Sequence, residues 1–296
     1  HLRGETKREN QLPQVPKTTV KTQVRQQKTA LEDIRGQEHA KRGLLIAAAG
    51  GHNIALYGPP GTGKTMLAQA LTGLLPQLSL EDVLEVTGIH SIAGTLQDIL
   101  VTHPPIRSPH HTASYVSIVG GGTTPKPGEV TLAHRGVLFL DEFPEFERRV
   151  VEALRQPLED RVISISRAKG TALFPASFIL VAAMHPCPCG NHGSQKRCIG
   201  TPMALERYKR KISGPIIDRI DMWIEVANIS HDKLSEKSSG YTESEIKRKN
   251  ISRAREIQKQ RFDGVKRNIK TNSEMNSKDL AQLVSLKEDA QKSLNT

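Results

Sequence analysis

The stretch "GPPGTGKT", Gly58 to Thr65, is the most informative part of this 296-residue sequence. It fits the pattern G-x-x-x-x-G-K-[ST]; the apolar run "NIALYG" leads into it and the helix-like "KTMLAQALTGLL" leaves it. Such a strand–loop–helix context lets backbone N–H groups wrap a phosphate at the positive N-terminus of a helix. The sequence therefore predicts an ATP-binding loop made of Gly58, Pro59, Pro60, Gly61, Thr62, Gly63, Lys64 and Thr65.

Two acidic residues supply the second half of the predicted nucleotide site. In the first half, Lys64 is expected to reach the β- and γ-phosphates, and the Thr65 hydroxyl is expected to bind Mg²⁺. The run "GVLFLDEF" then places Asp141 at the end of a strand, where it can hold Mg²⁺ through water. Glu142 follows directly and is suited to polarise the attacking water. An ordinary exposed Asp–Glu pair is the alternative, but the order and spacing of the two motifs favour ATP hydrolysis.

The pattern of apolar runs predicts the fold class. "NIALYG", "GVLFLDEF" and "SFILVAA" are continuous runs of the kind found in strands buried on both faces. Helical spacing in "LEDIRGQEHAKRGLLIAAAGG" and in "ERRVVEALRQPLED" predicts one helix in each of these segments. Strands that alternate with helices predict an α/β fold with a parallel sheet. Residues 77–135 are rich in Gly, Pro, Ser and His, which indicates loops with short elements.

The net charge of +11 is unevenly distributed along the chain. Residues 31–205 are neutral, whereas the first thirty residues and residues 206–270 carry the basic excess. This excess forms either solvated helix faces or a surface for a polyanion such as DNA. No apolar run approaches the roughly 20 residues that span a bilayer, and three cysteines do not make a disulfide framework. We therefore expect a cytoplasmic protein with no membrane partner.

Arg219 is a candidate catalytic residue because of its place in "SGPIIDRIDMWIEV". It directly precedes a further apolar strand, which is where ring ATPases place an arginine finger. Such an arginine would act in trans by neutralising charge on the γ-phosphate of a neighbouring subunit. The alternative is an ion pair between Arg219 and Asp218 or Asp221.

The segment "PLEDRVISISRAKGTALFPASF" predicts a β-hairpin just before the "FILVAA" strand. Its tip carries Arg167 and Lys169. In a ring these two residues could face the pore and contact the phosphate backbone of DNA. The alternative is an ordinary surface hairpin.

All three cysteines follow the "FILVAA" strand, in "MHPCPCGNHGSQKRCIG". Cys187, Cys189 and Cys198, with His192, could complete the four N or S ligands that Zn²⁺ usually takes. The alternative is a loop without metal. His185 stands at the end of the same strand.

Taken together, these motifs resemble the YifB/ComM proteins, the magnesium-chelatase-like branch of the AAA+ ATPases. The resemblance covers about Leu31 to Phe262 and rests on the following stretches: "RGQEHAKRGLLIAAAGGHNIALYGPPGTGKTMLA", "IRSPHHTAS", "GGGTTPKPGEVTLAHRGVLFLDEFPEF", "RQPLEDRVISISRA", "PCPCG" and "SGPIIDRID". It implies an AAA+ P-loop core with helices on both faces of the sheet, an insertion over about 77–130 and a pre-sensor-1 hairpin over 161–175. It also implies Walker A at Gly58–Thr65, Walker B at Asp141 and Glu142, and Arg219 as the arginine finger.

The resemblance implies a hexameric ATPase, and ComM proteins are associated with branch migration of DNA during natural transformation. We therefore expect an ATP- and Mg²⁺-dependent motor that remodels DNA as a homo-oligomeric ring. A chelatase-like or chaperone-like ATPase with a protein partner, and an ATP-binding protein with little hydrolysis, are the alternatives.

The chain departs from the family pattern at two positions. His185 stands where the family has the sensor-1 Asn, the residue that senses the γ-phosphate. Gly200 stands where the family usually has a fourth cysteine. The expected domains are a linker over 1–30 that follows a missing N-terminal domain, an ATPase core over 31–230 and a partial helical lid over 231–296.

Overall fold

A computed structural model describes residues 29–122, 125–167, 170–191, 197–228, 242–265, 267, 269–284 and 292–293. Its centre is a five-stranded sheet in which every neighbouring pair runs parallel. The predicted linker over 1–30 lies outside the described residues except for Thr29 and Ala30.

The strands of this sheet are β1 (Ile54–Tyr57), β2 (Ile106–Arg107), β5 (Val137–Leu140), β8 (Ile179–Met184) and β9 (Met222–Glu225). Their order across the sheet is β2-β5-β8-β1-β9. Strand β8 therefore lies between β5 and β1, with Leu140 opposite Ala182 and Tyr57 opposite Met184. This arrangement confirms the predicted parallel α/β fold.

The central strands are apolar at every position because both faces of the sheet are covered. Leu138, Leu140 and Leu180 belong to one buried cluster, whereas Phe139 and Val181 belong to the other. Alternate side chains of a strand point to opposite faces, so a continuous apolar run is what a two-sided core requires.

Three helices cover the face of the sheet that carries Phe139 and Val181: α1 (Glu38–Gly50), α2 (Lys64–Leu74) and α10 (Thr242–Phe262). Arg255 and Gln258 of α10 donate to the carbonyls of Ala48 and Ala49 at the end of α1. Helix α10 thus packs directly on α1 and so on the core that contains the parallel sheet. The proposed boundary of a separate lid stays a prediction.

The remaining helices are mostly shorter. They are α3 (Leu80–Ile92), α4 (Tyr115–Val119), α5 (Glu129–Leu132), α6 (Arg148–Ala153), α7 (Arg155–Asp160), α8 (Pro202–Lys209), α9 (Gly214–Ile217) and α11 (Ser277–Leu283). Short 3-10 turns occupy Leu31–Asp33, Phe143–Glu145 and Asn272–Glu274.

Two sequence-based expectations were incomplete. The loop-rich stretch 77–135 contains the thirteen-residue helix α3, whose N-cap Ser79 accepts from the N–H of Asp82. It also contains strand β2, which joins the main sheet beside β5. The single helix expected over "ERRVVEALRQPLED" is divided into α6 and α7, because Pro157 has no N–H to donate to the carbonyl of Ala153.

The predicted hairpin is present as β6 (Val162–Arg167) and β7 (Gly170–Pro175), which pair antiparallel with Arg167 opposite Gly170. A second small pair joins β3 (Gly120–Gly121) to β4 (Lys126–Pro127). None of the described helices combines the length and apolar character that crossing a bilayer requires.

Candidate active site

Three neighbouring strands end at the same edge of the sheet, and each leads into a predicted site residue. Strand β1 leads into Gly58, β5 into Asp141 and β8 into His185. In open parallel sheets the carboxyl ends of the strands are where ligands bind. The motifs that the sequence separates by many residues are therefore brought together here.

The P-loop has the backbone geometry of an anion cradle. Gly61 and Gly63 adopt φ values of 77° and 88°, in the left-handed region that favours glycine. A Cβ built on either residue would have no described atom within 4 Å, so there is open space beside both glycines. The N–H of Gly58 donates to the carbonyl of Met184, which ties the loop to the end of β8. The residues present fit a bound phosphate chain.

Lys64 is folded back into its own loop. Its Nζ donates to the carbonyls of Gly58 at 3.0 Å and Pro59 at 2.7 Å. Burial lowers the pKa of Lys64, and the charge of Asp141 partly opposes this shift. A buried ammonium held by carbonyls gains from an anionic partner, which is what a phosphate supplies.

The expected Mg²⁺ ligands are already in contact. The Thr65 hydroxyl donates to Oδ2 of Asp141 at 3.0 Å. The other carboxylate oxygen of Asp141 accepts from the N–H of Glu142 at 2.9 Å. A hydroxyl and a carboxylate are hard oxygen donors of the type Mg²⁺ prefers, so this pair fits the ion.

Glu142 has an unusual backbone and an unexpected neighbour. Its φ of 51° lies in the left-handed region, which is strained for a residue with a side chain. Its Oε2 lies 3.1 Å from Nδ1 of His111, which stacks on His110 and meets Phe146 edge-on. His111 belongs to the stretch "IRSPHHTAS", but no sequence pattern assigned it a role. His111 lies in the insertion over about 77–130, and its contact with Glu142 becomes visible only in the folded structure.

His185 lies where a γ-phosphate sensor was expected. Its Nδ1–H donates to the carbonyl of Gly58 at 3.3 Å, the same carbonyl that accepts from Lys64. His185 thus touches the P-loop directly.

Burial raises the pKa of Tyr208, a neighbour of this site, to about 12, and the negative charge of Glu145 acts in the same direction.

The three cysteines lie together in the loop after His185. The Sγ atoms are separated by 3.3 Å for Cys187–Cys189, 3.6 Å for Cys189–Cys198 and 3.8 Å for Cys198–Cys187. Hydrogen bonds from the backbone of Asn191 and from the Cys187 thiol lower the pKa of Cys189 to about 6. His192, the fourth ligand suggested by the sequence, lies outside the described residues.

Arg219 lies at the amino-terminal end of the sheet strands, whereas its own P-loop lies at their carboxyl-terminal end. It precedes β9, whose first residue pairs with Ile54 at the start of β1, whereas the P-loop follows Tyr57 at the end of β1. Four strand residues span about 13 Å. The suggestion of Asp218 or Asp221 as its ion-pair partner was wrong, because the guanidinium pairs with Glu159.

Asn53 is a structural residue that no sequence motif revealed. It is buried, its side-chain amide donates to the carbonyl of Arg219, and its Oδ1 accepts from the N–H of Leu180. Its backbone N–H donates to Asp221. Asn53 therefore fixes the segment of Arg219 against the sheet.

The proposed DNA contacts are outside what the structure describes. Lys169 is not among the described residues, and nothing is described of the Arg167 side chain beyond its place at the end of β6. Their role stays a prediction.

Comparison with known proteins shows which family the chain is similar to. The model of the family described as "Magnesium chelatase, subunit ChlI" matches residues 30–234, which is more than half of the chain. The competence protein ComM of Haemophilus influenzae is 48% identical over 256 residues, covering 84% of this chain and 48% of ComM. The protein YifB of Escherichia coli K12 is 47% identical over 264 residues, covering 88% of this chain and 50% of YifB.

A more distant similarity links the chain to Lon proteases. Lon protease 2 of Bacillus subtilis is 29% identical over 147 residues, covering 47% of this chain and 27% of that protein. The chain spans about half the length of its ComM and YifB relatives.

Proposed function

Because the chain belongs to the YifB/ComM branch of the magnesium chelatase family of AAA+ proteins, we propose that it is the ATP-hydrolysing part of a DNA-remodelling motor. The observation that carries the proposal is the meeting of the P-loop, the Thr65–Asp141 pair and Glu142 at one edge of the sheet. Cytoplasmic location belongs to the same proposal.

Each residue of the site has its own role in the proposed ATP hydrolysis. The N–H groups of the P-loop and the Lys64 ammonium hold the β- and γ-phosphates. Thr65 and Asp141 hold Mg²⁺, and this ion supplies neutralisation of the charge that builds up on the phosphates. Glu142 orients the attacking water and accepts its proton. His185 directly follows β8 and touches the P-loop carbonyl of Gly58, so it is placed to sense the γ-phosphate.

The position of Arg219 supports a ring in which one subunit completes the site of the next. With its own P-loop at the other end of the sheet strands, Arg219 reaches phosphates only in a neighbouring copy. Its pairing with Glu159 holds it at the surface, with 37% of the side chain exposed. A homo-oligomer, with hexamer as the family expectation, is therefore part of the proposal.

DNA is the proposed partner because of the net charge of +11, the basic hairpin tip and the name of the relative ComM, a competence protein. We expect binding of forked DNA to weaken steeply with salt, because phosphate contacts release counterions. Fluorescence anisotropy across a salt series measures this slope. Phosphate release in the presence of the same DNA measures stimulation.

A double variant tests the hairpin. Arg167→Ala with Lys169→Ala should reduce the salt slope by about 1 for each DNA phosphate that the variant no longer binds. The control is Arg42→Ala with Lys278→Ala, which removes the same charge from two exposed positions away from the hairpin. Equally weakened binding in both double variants would show that only net charge matters, and no binding at low salt with ATP present would contradict the DNA proposal.

A protein substrate is the second candidate, and the match to a chelatase subunit favours it. The ATP site is the same for both candidates. Stimulation of ATP hydrolysis by a purified protein partner, without stimulation by DNA, would support the chelatase-like or chaperone-like function instead.

A further inference from the structure

The three cysteines form the one cluster of potential metal ligands found among the described residues. Their sulfur atoms lie 3.3–3.8 Å apart in all three pairs. Four ligands at the Zn–S distance of about 2.3 Å form a tetrahedron whose edges are about 3.8 Å. The triangle of sulfurs thus has nearly the size of one face of a zinc–thiolate tetrahedron.

We propose that Cys187, Cys189 and Cys198 bind one Zn²⁺ ion as thiolates and supply three of its four ligand positions. The sulfurs are thiols rather than disulfide partners, so all three are available as ligands. Soft thiolates favour zinc over Mg²⁺ or Ca²⁺. Iron–sulfur clusters are held by four cysteines, and this chain has only three.

The local backbone is shaped to bring the sulfurs together. Cys187 is fully buried three residues after the end of β8, a central strand in which every residue is buried. The N–H of Gly190 donates to the carbonyl of Cys187 at 3.0 Å and closes a tight turn that carries Cys189. Gly190 has a φ of 74°, so a residue with a side chain would strain this turn.

The cysteine loop also touches the nucleotide site. A Cβ built on Gly190 would lie 2.8 Å from Cδ of Pro60 in the P-loop, which shows how closely the two loops pack. The proposed ion would therefore stabilise both the turn and the P-loop position beside it. On removal of zinc we expect ATP to bind several-fold more weakly.

Gly200 offers a way to complete the site. A Cβ built on Gly200 would lie 3.6 Å from Sγ of Cys198, an ordinary van der Waals contact. A cysteine at this position would therefore bring a fourth thiol to the cluster. The Gly200→Cys variant should hold zinc more tightly than the original chain.

The experiment measures bound metal rather than activity. The full chain is purified without a polyhistidine tag or chelator, under a phosphine reductant, and its metals are quantified by mass spectrometry. We expect about one Zn²⁺ per chain and near-complete loss of zinc in Cys189→Ser. Reaction of the thiols with a disulfide reagent should be slow until zinc is removed.

Two further variants keep the test decisive if Cys189→Ser fails to fold. Gly200→Cys should retain zinc at least about tenfold longer against a chelator, because a fourth thiolate replaces a weaker ligand. Gly200→Ser, which adds a side chain of similar size without a thiol, should behave as the original chain does. Folded protein without zinc in both the original chain and Gly200→Cys would overturn the proposal, as would copper or iron at the site instead.

Discussion

Glu142 shows how a single residue depends on contacts from distant parts of the chain. It follows Asp141 in sequence, yet its carboxylate lies beside His111, a residue of the insert. The sequence identified Glu142, Asp141 and Lys64 because each belongs to a motif of fixed spacing. His111 and Asn53 could not be identified in this way, since their partners are distant in sequence and are chosen by the fold.

Replacing His111 should change turnover more than ATP affinity. In His111→Ala the carboxylate of Glu142 loses a neighbour that fixes its orientation, and we expect kcat to fall about tenfold. Steady-state phosphate release and ATP binding by fluorescence separate the two effects. The matched control is His39→Ala, which removes an exposed histidine of α1 and should stay within about twofold. An unchanged kcat in His111→Ala would show that the contact has no catalytic role.

The pair formed by buried His134 and half-exposed Glu85 predicts a loss of stability in acid. Nδ1 of His134 accepts from the N–H of Ser177, and Nε2 lies 3.0 Å from Oε2 of Glu85. Burial lowers the pKa of His134 below 6.5, with the carboxylate of Glu85 partly offsetting it and the charge of Arg135 adding to it. Burial raises the pKa of Glu85, but bonds and charges from His134 and Arg135 outweigh this and hold it below 4.5.

Both shifts act in the same direction. As the pH is lowered through 6.5, the unfolded chain binds a proton at His134 at a higher pH than the folded chain does. The free energy of unfolding therefore decreases as the pH is lowered. The contribution of Glu85 is present above pH 4.5 and is lost below it. Denaturant titrations between about pH 8 and pH 5 should show a slope from His134 of at most about 1.4 kcal/mol per pH unit. His134→Gln should flatten this slope, and an equally steep slope in the variant would contradict the assignment.

At the level of helices and strands, periodicity in the sequence was informative where one element is long and regularly patterned. The helix predicted within "LEDIRGQEHAKRGLLIAAAGG" is α1, and the three predicted apolar strands are β1, β5 and β8. Helix α3 was missed although Ser79 and Asp82 mark its start, because the surrounding Gly, Pro and His residues suggested loops. Strand β2 is two residues long and cannot be found from periodicity at all.

The junction of β2 and β5 depends on a glycine. A Cβ on Gly136 would lie 1.9 Å from the carbonyl oxygen of Pro105, which accepts from the N–H of Val137. Gly136→Ala should therefore destabilise the fold by at least about 2 kcal/mol. Gly88→Ala is the control, since Gly88 is an exposed α3 residue with open space around it, and it should stabilise by about 0.5–1 kcal/mol. Chemical denaturation measures both, and equal effects would contradict the packing described here.

At the scale of the whole molecule, Arg219 and the P-loop lie at opposite ends of the sheet strands, and the proposed ring therefore predicts how mixed variants behave. Arg219→Ala and Glu142→Gln should each hydrolyse little ATP alone. Mixed together, they should regain activity, because some interfaces then combine an intact Glu142 with an intact Arg219 from the neighbour.

The control for mixing is Lys64→Ala combined with Glu142→Gln. Both changes damage the same half of the site, so no mixed interface is intact and no activity should return. Recovery in the control, or none in the Arg219 mixture when both variants assemble, would contradict action in trans. The sequence alone could not decide this point, because it left Arg219 either as a finger or as an ion-paired residue.

The most direct test of the account is phosphate release from ATP in the presence of Mg²⁺, measured for the chain and for Glu142→Gln. Nucleotide affinity is measured in parallel, since Glu142 contributes to chemistry and not to the phosphate cradle. We predict steady release by the original chain, release at least about 100-fold slower in Glu142→Gln, and ATP affinities within about threefold of each other. A chain that binds ATP yet releases no phosphate, or equal release by both proteins, would contradict the assignment of this site as a hydrolytic centre.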